Sequence, residues 1–192
     1  IAVLDHLGIE QAHVVGASMG GMIVQTMAIE HPTRVASLTS IMSTTGSPSV
    51  GQAEGDTLMQ LMAPVPEERE AAIERSVKIS EAISGPLFDE ARSRAIAEFH
   101  HDRSFHPVGV AHQMAAIIAS GDRTDRLREL DVAAVVIHGE ADPLVTISGG
   151  VATADAIPGA ELVRFAEMGH DMPEKIWPDI ADAIEGVARR AS

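Results

Sequence analysis

The chain has 192 residues, with 14 Lys and Arg against 28 Asp and Glu, a formal charge of −14, nine His and no Cys. That length suits one compact domain, or one domain with a modest insertion, able to bury a sizeable core. The charge argues against nucleic-acid backbones and anionic membranes as partners, because both would repel it, and the absent cysteines exclude disulfides, thiolate nucleophiles and Cys-ligated metals.

No apolar run is long enough to span a bilayer and no basic leader precedes one, so a soluble, cytoplasmic protein is expected. Ile1, Val3, Leu4 and Leu7 share one face at helical spacing, and Gly8 follows where a helix end favours a left-handed residue. Residues 1–7 therefore read as the last turns of a helix that starts upstream. Ala12 to Val15 is a short apolar run stopping at Gly16, the length of a buried strand. Gly20 to Glu30, closed by Pro32, reads as a helix, and Val35 to Met42 as a second strand. Strand, helix and strand in that order make a βαβ unit with parallel pairing and a right-handed crossover.

From Thr44 to about Gly121 the pattern changes. Gly46, Pro48, Gly51 and Gly55 mark a loop, and helical periodicity follows. Ile73 and Val77 lie on one face. Phe88, Ala91, Ala95, Ile96 and Phe99 lie on a second, and Val108, Ala111, Met114, Ala115 and Ile118 on a third. Three or four amphipathic helices with no strand between them are predicted. The α/β rhythm resumes with Val132 to Ile137, a strand apolar enough to be buried on both faces. Val151 to Ile157 reads as a short helix closed by Pro158-Gly159, and Leu162 to Phe165 as a last strand. Ile176, Trp177, Ile180, Ile184 and Val187 give an amphipathic C-terminal helix. The expected fold is α/β with a mostly parallel sheet. Residues 1–43 and 122–192 form its core, and residues 44–121 a helical insertion.

The chemistry centres on Gly16-Ala17-Ser18-Met19-Gly20. A serine on a sharp strand-to-helix turn stands clear of the sheet, and its neighbours two residues away must be tiny. The helix behind it aims its first amides at the reaction site, where the Met19 N–H would stabilise an oxyanion. A serine hydroxyl needs a base oriented by a carboxylate, and in a parallel sheet both belong in loops after strand ends. His170 follows the last strand. His138-Gly139-Glu140-Ala141-Asp142-Pro143 follows the one before it, offering Glu140 and Asp142 as the acid. Asp171 adjoins His170 in sequence and is poorly placed to orient its ring. Asp142, before Pro143, is better placed than Glu140. His138 reads as a strand-end residue filling space beneath the site.

Two other readings fail on the residues. A dinucleotide fingerprint needs glycine where Ser18 stands, and no P-loop lysine follows. His100, His101, Asp102, His106 and His112 lack a ligand periodicity on one helix face and read as polar surface. The methionines, among them Met19, Met59, Met62 and Met114, would suit an adaptable apolar pocket and equally an ordinary core.

Gly-Ala-Ser-Met-Gly-Gly, His-Gly-Glu-Ala-Asp-Pro-Leu and Met-Gly-His-Asp-Met-Pro together resemble the serine hydrolases of the α/β-hydrolase superfamily. The chain is similar in particular to esterases of the aclacinomycin-methylesterase type. The resemblance spans essentially the whole chain, sets residues 44–121 in the place of the helical cap, and implies the triad Ser18, Asp142 and His170. It implies a cofactor-free enzyme, most simply a carboxylesterase acting on a small or medium apolar ester. Perhydrolase (haloperoxidase) or C–C bond hydrolase chemistry on the same triad is the alternative, as is a binding domain that kept the fold. Family members carry further strands and a His-Gly loop, the second oxyanion donor, before the nucleophile. This chain is therefore expected to be the C-terminal part of a longer protein, folding poorly and working weakly alone. Substrate identity and oligomeric state are not written in the sequence.

Overall fold

The computed structural model describes residues 1–191. Helix α1 (Ala2–His6) ends at Leu7, and Gly8 then takes a left-handed turn with φ 68°. Strand β1 (Ala12–Ala17) leads straight into helix α2 (Met19–Glu30), and Pro32 opens a single 3₁₀ turn before strand β2 (Val35–Ile41). Four helices follow without a strand among them: α3 (Thr57–Met62), α4 (Arg69–Ile83), α5 (Glu90–Arg103) and α6 (Val108–Ser120). The Glu68 carboxylate accepts the Glu70 and Ala71 amides at 3.0 and 2.7 Å, and Asp89 accepts the Arg92 amide at 3.0 Å, capping α4 and α5. The short α7 (Thr124–Leu127), strand β3 (Ala133–Gly139), α8 (Ile147–Ala156), strand β4 (Glu161–Phe165) and α9 (Trp177–Arg190) complete the chain.

The four strands form one sheet in the order β1-β2-β3-β4, and every pairing is parallel. Parallel sheets need cover on both faces, and two apolar clusters supply it. On one face Val14, Leu38 and Ala134 pack with Val24 and Ala28 of α2, Leu127 of α7 and Ala156 of α8. On the other, Ile41, Val135 and Ile137 pack with Ile180 and Val187 of α9. The C-terminal ends of all four strands point the same way, which makes that rim the place where loop side chains converge. β1 is an edge strand, with Val15 46% exposed, and Ile23 of α2 beside it is 51% exposed.

One expected boundary needs correcting, and two apolar faces lie open. Helix α8 begins at Ile147 rather than Val151, because Gly149 and Gly150 are buried helix positions and not a break before it. A Cβ at Gly149 would press on Thr44, and one at Gly150 would strike the His138 ring, so these glycines record close approach. The apolar faces predicted for the third and fourth inserted helices are also not buried. Neither α5 nor α6 contains a buried residue, and Phe99, Val108 and Ile118 stand exposed.

Candidate active site

Ser18 sits between β1 and α2 at φ 53° and ψ −119°, a conformation an L side chain adopts only under strain. The strain is held from both sides. The Ser18 amide donates to the Ile41 carbonyl at 2.9 Å, and the Ser18 carbonyl accepts from Gly21 at 2.9 Å and Met22 at 3.3 Å. A Cβ at Gly16 would strike the Gly20 carbonyl, so the turn requires glycine there. The second small residue it requires is Gly21, whose Cβ would meet the Ser43 side chain at 2.5–2.7 Å. Gly20 has open space around it, so the expectation that it must be tiny is corrected. Met19 is the first residue of α2, so its N–H is among the amides a helix leaves without an intrahelical acceptor.

The other two groups come from the far half of the sheet. Asp142, in the loop after β3, is 3% exposed; its Oδ1 accepts the Leu144 and Val145 amides, both at 2.9 Å. Its Oδ2 lies 2.7 Å from His170 Nδ1, in the loop after β4. His170 Nε2 is 2.8 Å from Ser18 Oγ. Because a carboxylate only accepts, Nδ1 donates to Asp142, which leaves Nε2 as the lone-pair nitrogen facing the serine hydroxyl. Residues 152 positions apart thus share one hydrogen-bonded line across the rim. The other two carboxylates are engaged elsewhere. Glu140 is exposed and 3.4 Å from Arg164, and Asp171 Oδ1 accepts the Gly169 amide at 3.2 Å.

The fold that sets this geometry is shared. The family model of the alpha/beta hydrolase fold matches residues 2–175. The chain belongs to that family. It is 28% identical to rhodomycin D methylesterase DauP of Streptomyces sp. (strain C5) over 216 residues, covering all of this chain and 72% of the relative. It is 31% identical over 173 residues to a 2-hydroxy-6-oxononadienedioate/2-hydroxy-6-oxononatrienedioate hydrolase of Paraburkholderia phymatum, covering 88% of this chain and 59% of that protein. In structure it is similar to the meta-cleavage product hydrolase CumD of Pseudomonas fluorescens IP01. The TM-score is 0.72 at 20% identity, covering 97% of this chain and 66% of the other.

Within this α/β-hydrolase chain, sequence reasoning missed Arg123. It is 3% exposed, with no carboxylate hydrogen-bonded to its guanidinium. Four neutral oxygens take its protons: Gln25 Oε1 at 3.1 Å, Ser120 Oγ at 2.9 Å, the Gly121 carbonyl at 3.1 Å and the Thr44 carbonyl at 3.0 Å. Burial pushes its guanidinium below its ordinary value, while neighbouring Asp122 opposes that shift. Arg123 therefore ties α2, behind Ser18, to both chain segments that enter and leave the α3–α6 helices. No periodicity or motif marks such a residue. The histidines of α5 and α6 make no ligand set; among the described residues no group of three or more His, Cys, Asp or Glu is placed to hold a metal. No described helix is long and apolar enough to cross a membrane.

Proposed function

We propose that this chain carries the catalytic centre of a serine hydrolase, with Ser18 as nucleophile, His170 as base and Asp142 as its orienting acid. The observation that carries the reading is the unbroken line Asp142 Oδ2, His170 Nδ1, His170 Nε2, Ser18 Oγ, at 2.7 and 2.8 Å, ending on a strained serine. Ser18 Oγ attacks an ester carbonyl carbon as its proton passes to His170 Nε2. The resulting oxyanion lies at the N-terminus of α2, where the Met19 amide donates to it. His170 then returns the proton to the departing alcohol, leaving Ser18 acylated. A water attacks the acyl carbonyl, gives its proton to His170, and Ser18 leaves with it as the acid product is released. Asp142 holds the productive imidazole tautomer throughout and stabilises the imidazolium.

The substrate class is a carboxylic ester, a reading supported by the likeness to a methylesterase. Residues 44–121 would cover the site as a cap, and no cofactor enters these steps. The likeness to the Paraburkholderia phymatum hydrolase favours a second reading, hydrolysis of a carbon–carbon bond beside a carbonyl on the same three residues. Turnover of aryl esters against a dienoate diketone separates the two. The intact protein should be labelled at Ser18 by a fluorophosphonate, and Ser18→Ala should lose at least about 10³-fold in kcat with folding unchanged. Wild-type turnover by Ser18→Ala, or labelling that survives His170→Ala undiminished, overturns the assignment.

A further inference from the structure

The acid loop is held from below by a residue that touches none of the reacting atoms. His138, the sixth residue of β3, has a fully buried side chain. Its Nε2 lies 2.7 Å from the Val145 carbonyl oxygen. A carbonyl only accepts, so Nε2 carries the proton. Its Nδ1 is buried and has no hydrogen-bond partner among the described residues, so a second proton there would be an unpaired buried charge. His138 is thus a neutral imidazole with one fixed tautomer. Gly150 of α8 packs directly against Nδ1, and a Cβ at that position would collide with the ring. A side chain at position 150 would therefore displace the ring.

Val145 links this ring to the triad. Its carbonyl accepts from His138, and its own amide donates to Asp142 Oδ1 at 2.9 Å. His138 Nε2 also lies 3.6 Å from Asp142 Oδ2, the oxygen that accepts from His170. We infer that His138 is a positioning residue that pins the Asp142–Val145 turn, so that the Asp142 carboxylate meets His170 Nδ1 in line. A misplacement of about 1 Å in such a group costs on the order of 10²-fold in rate, which sets the effect to look for. The inference rests on the proposed triad, although its decisive readout does not need turnover.

Three variants of the intact protein test it: His138→Leu, which removes the donor, His138→Gln, whose amide nitrogen reaches the place of Nε2, and Gly150→Ala, which displaces the ring. The readouts are the far-downfield proton resonance of the His170–Asp142 hydrogen bond, kcat and KM separately on an aryl ester, and circular dichroism for folding. His138→Leu should lose the downfield resonance and about 10²-fold in kcat with KM unchanged. His138→Gln should restore most of both, and Gly150→Ala should weaken both. An unchanged resonance in folded His138→Leu overturns the inference, as does a Gln variant no better than Leu. Should His138→Leu fail to fold, an unchanged resonance in Gly150→Ala overturns it equally. If the wild type shows the resonance yet neither turns over esters nor labels at Ser18, the proposed function fails while the positioning role is still tested by the proton.

Discussion

Strand β3 has six of its seven residues buried, whereas the 14-residue α5 and the 13-residue α6 bury none. They differ in composition, since β3 is almost wholly apolar and α5 mostly charged and polar, and in what stands opposite them. Around β3, Ile137, Met168 and Val187 are fully buried, and the loops that carry Asp142 and His170 spring from that packing. Among α3 to α6 only Ala72, Ile73 and Val77 are buried, all on α4. Exposed ion pairs between α4 and α5, Arg69 with Asp102 at 2.7 Å and Arg94 with Glu70 at 2.7 Å, add register rather than a core. The contrast divides the labour. The sheet carries the loops of Asp142 and His170, and α4 touches that arrangement only at its end, where the Ile83 carbonyl accepts the His170 amide at 2.7 Å.

The sharpest way to break that contrast is to hollow the sheet. Ile137→Ala in the intact protein should cost about 2–5 kcal/mol, because the buried methylenes are lost and a rigid surround closes only partly over the cavity. Chemical denaturation of the two proteins measures it. A loss under about 1 kcal/mol would mean that the centre of the sheet relaxes as freely as the helices.

The same contrast explains what could be read in advance. Ser18, Asp142 and His170 each stand in a short loop directly after a strand, beside Gly16, Gly139 and Gly169, so the signals for them are local and contiguous in the chain. The start of α8 was not legible, because the pattern from Val151 onward does not extend through Gly149 and Gly150. Only the ring of His138 and the side chain of Thr44, arriving from β3 and from the segment after β2, show why the helix runs through them. Arg123 was invisible for a similar reason: four partners from three segments make a buried cation tolerable, and none is near enough in sequence to announce it except Ser120 and Gly121. Periodicity correctly marked α5 and α6 as helices, yet it records which residues share a face and not whether anything covers that face.

A smaller effect follows from His138, at the centre of the better packed region. Burial, the largest influence on it, lowers its pKa below the ordinary histidine value; the Val145 carbonyl and Asp142 oppose the shift, and His170 adds to it. The unfolded chain therefore binds a proton near pH 6.5 that the folded chain still refuses. Stability is unaffected well above that pH. It falls as the pH drops through about 6.5 toward the lowered folded value, by at most about 1.4 kcal/mol per pH unit from this group. Denaturation between pH 7 and 5 should show the slope in the wild type, and His138→Gln should flatten it by up to that amount. An identical slope in both proteins assigns the acid sensitivity elsewhere.

The smallest expected change probes the other region. Phe99, on α5, is 60% exposed and touches His100 edge-on at 5.8 Å between ring centroids. Removing an aromatic ring from a buried site costs several kcal/mol, whereas an exposed one whose ring contact is with an exposed neighbour is worth little in the folded state. Phe99→Ser should therefore move the stability of the intact protein by no more than about 0.5 kcal/mol, measured by the same denaturation as Ile137→Ala. It should also make the protein more soluble by reducing its exposed apolar surface. A cost approaching that of Ile137→Ala would show that this face of α5 is covered in the intact protein. Helices α3 to α6 would then be as firmly packed as the sheet, and the division of labour between the two would disappear.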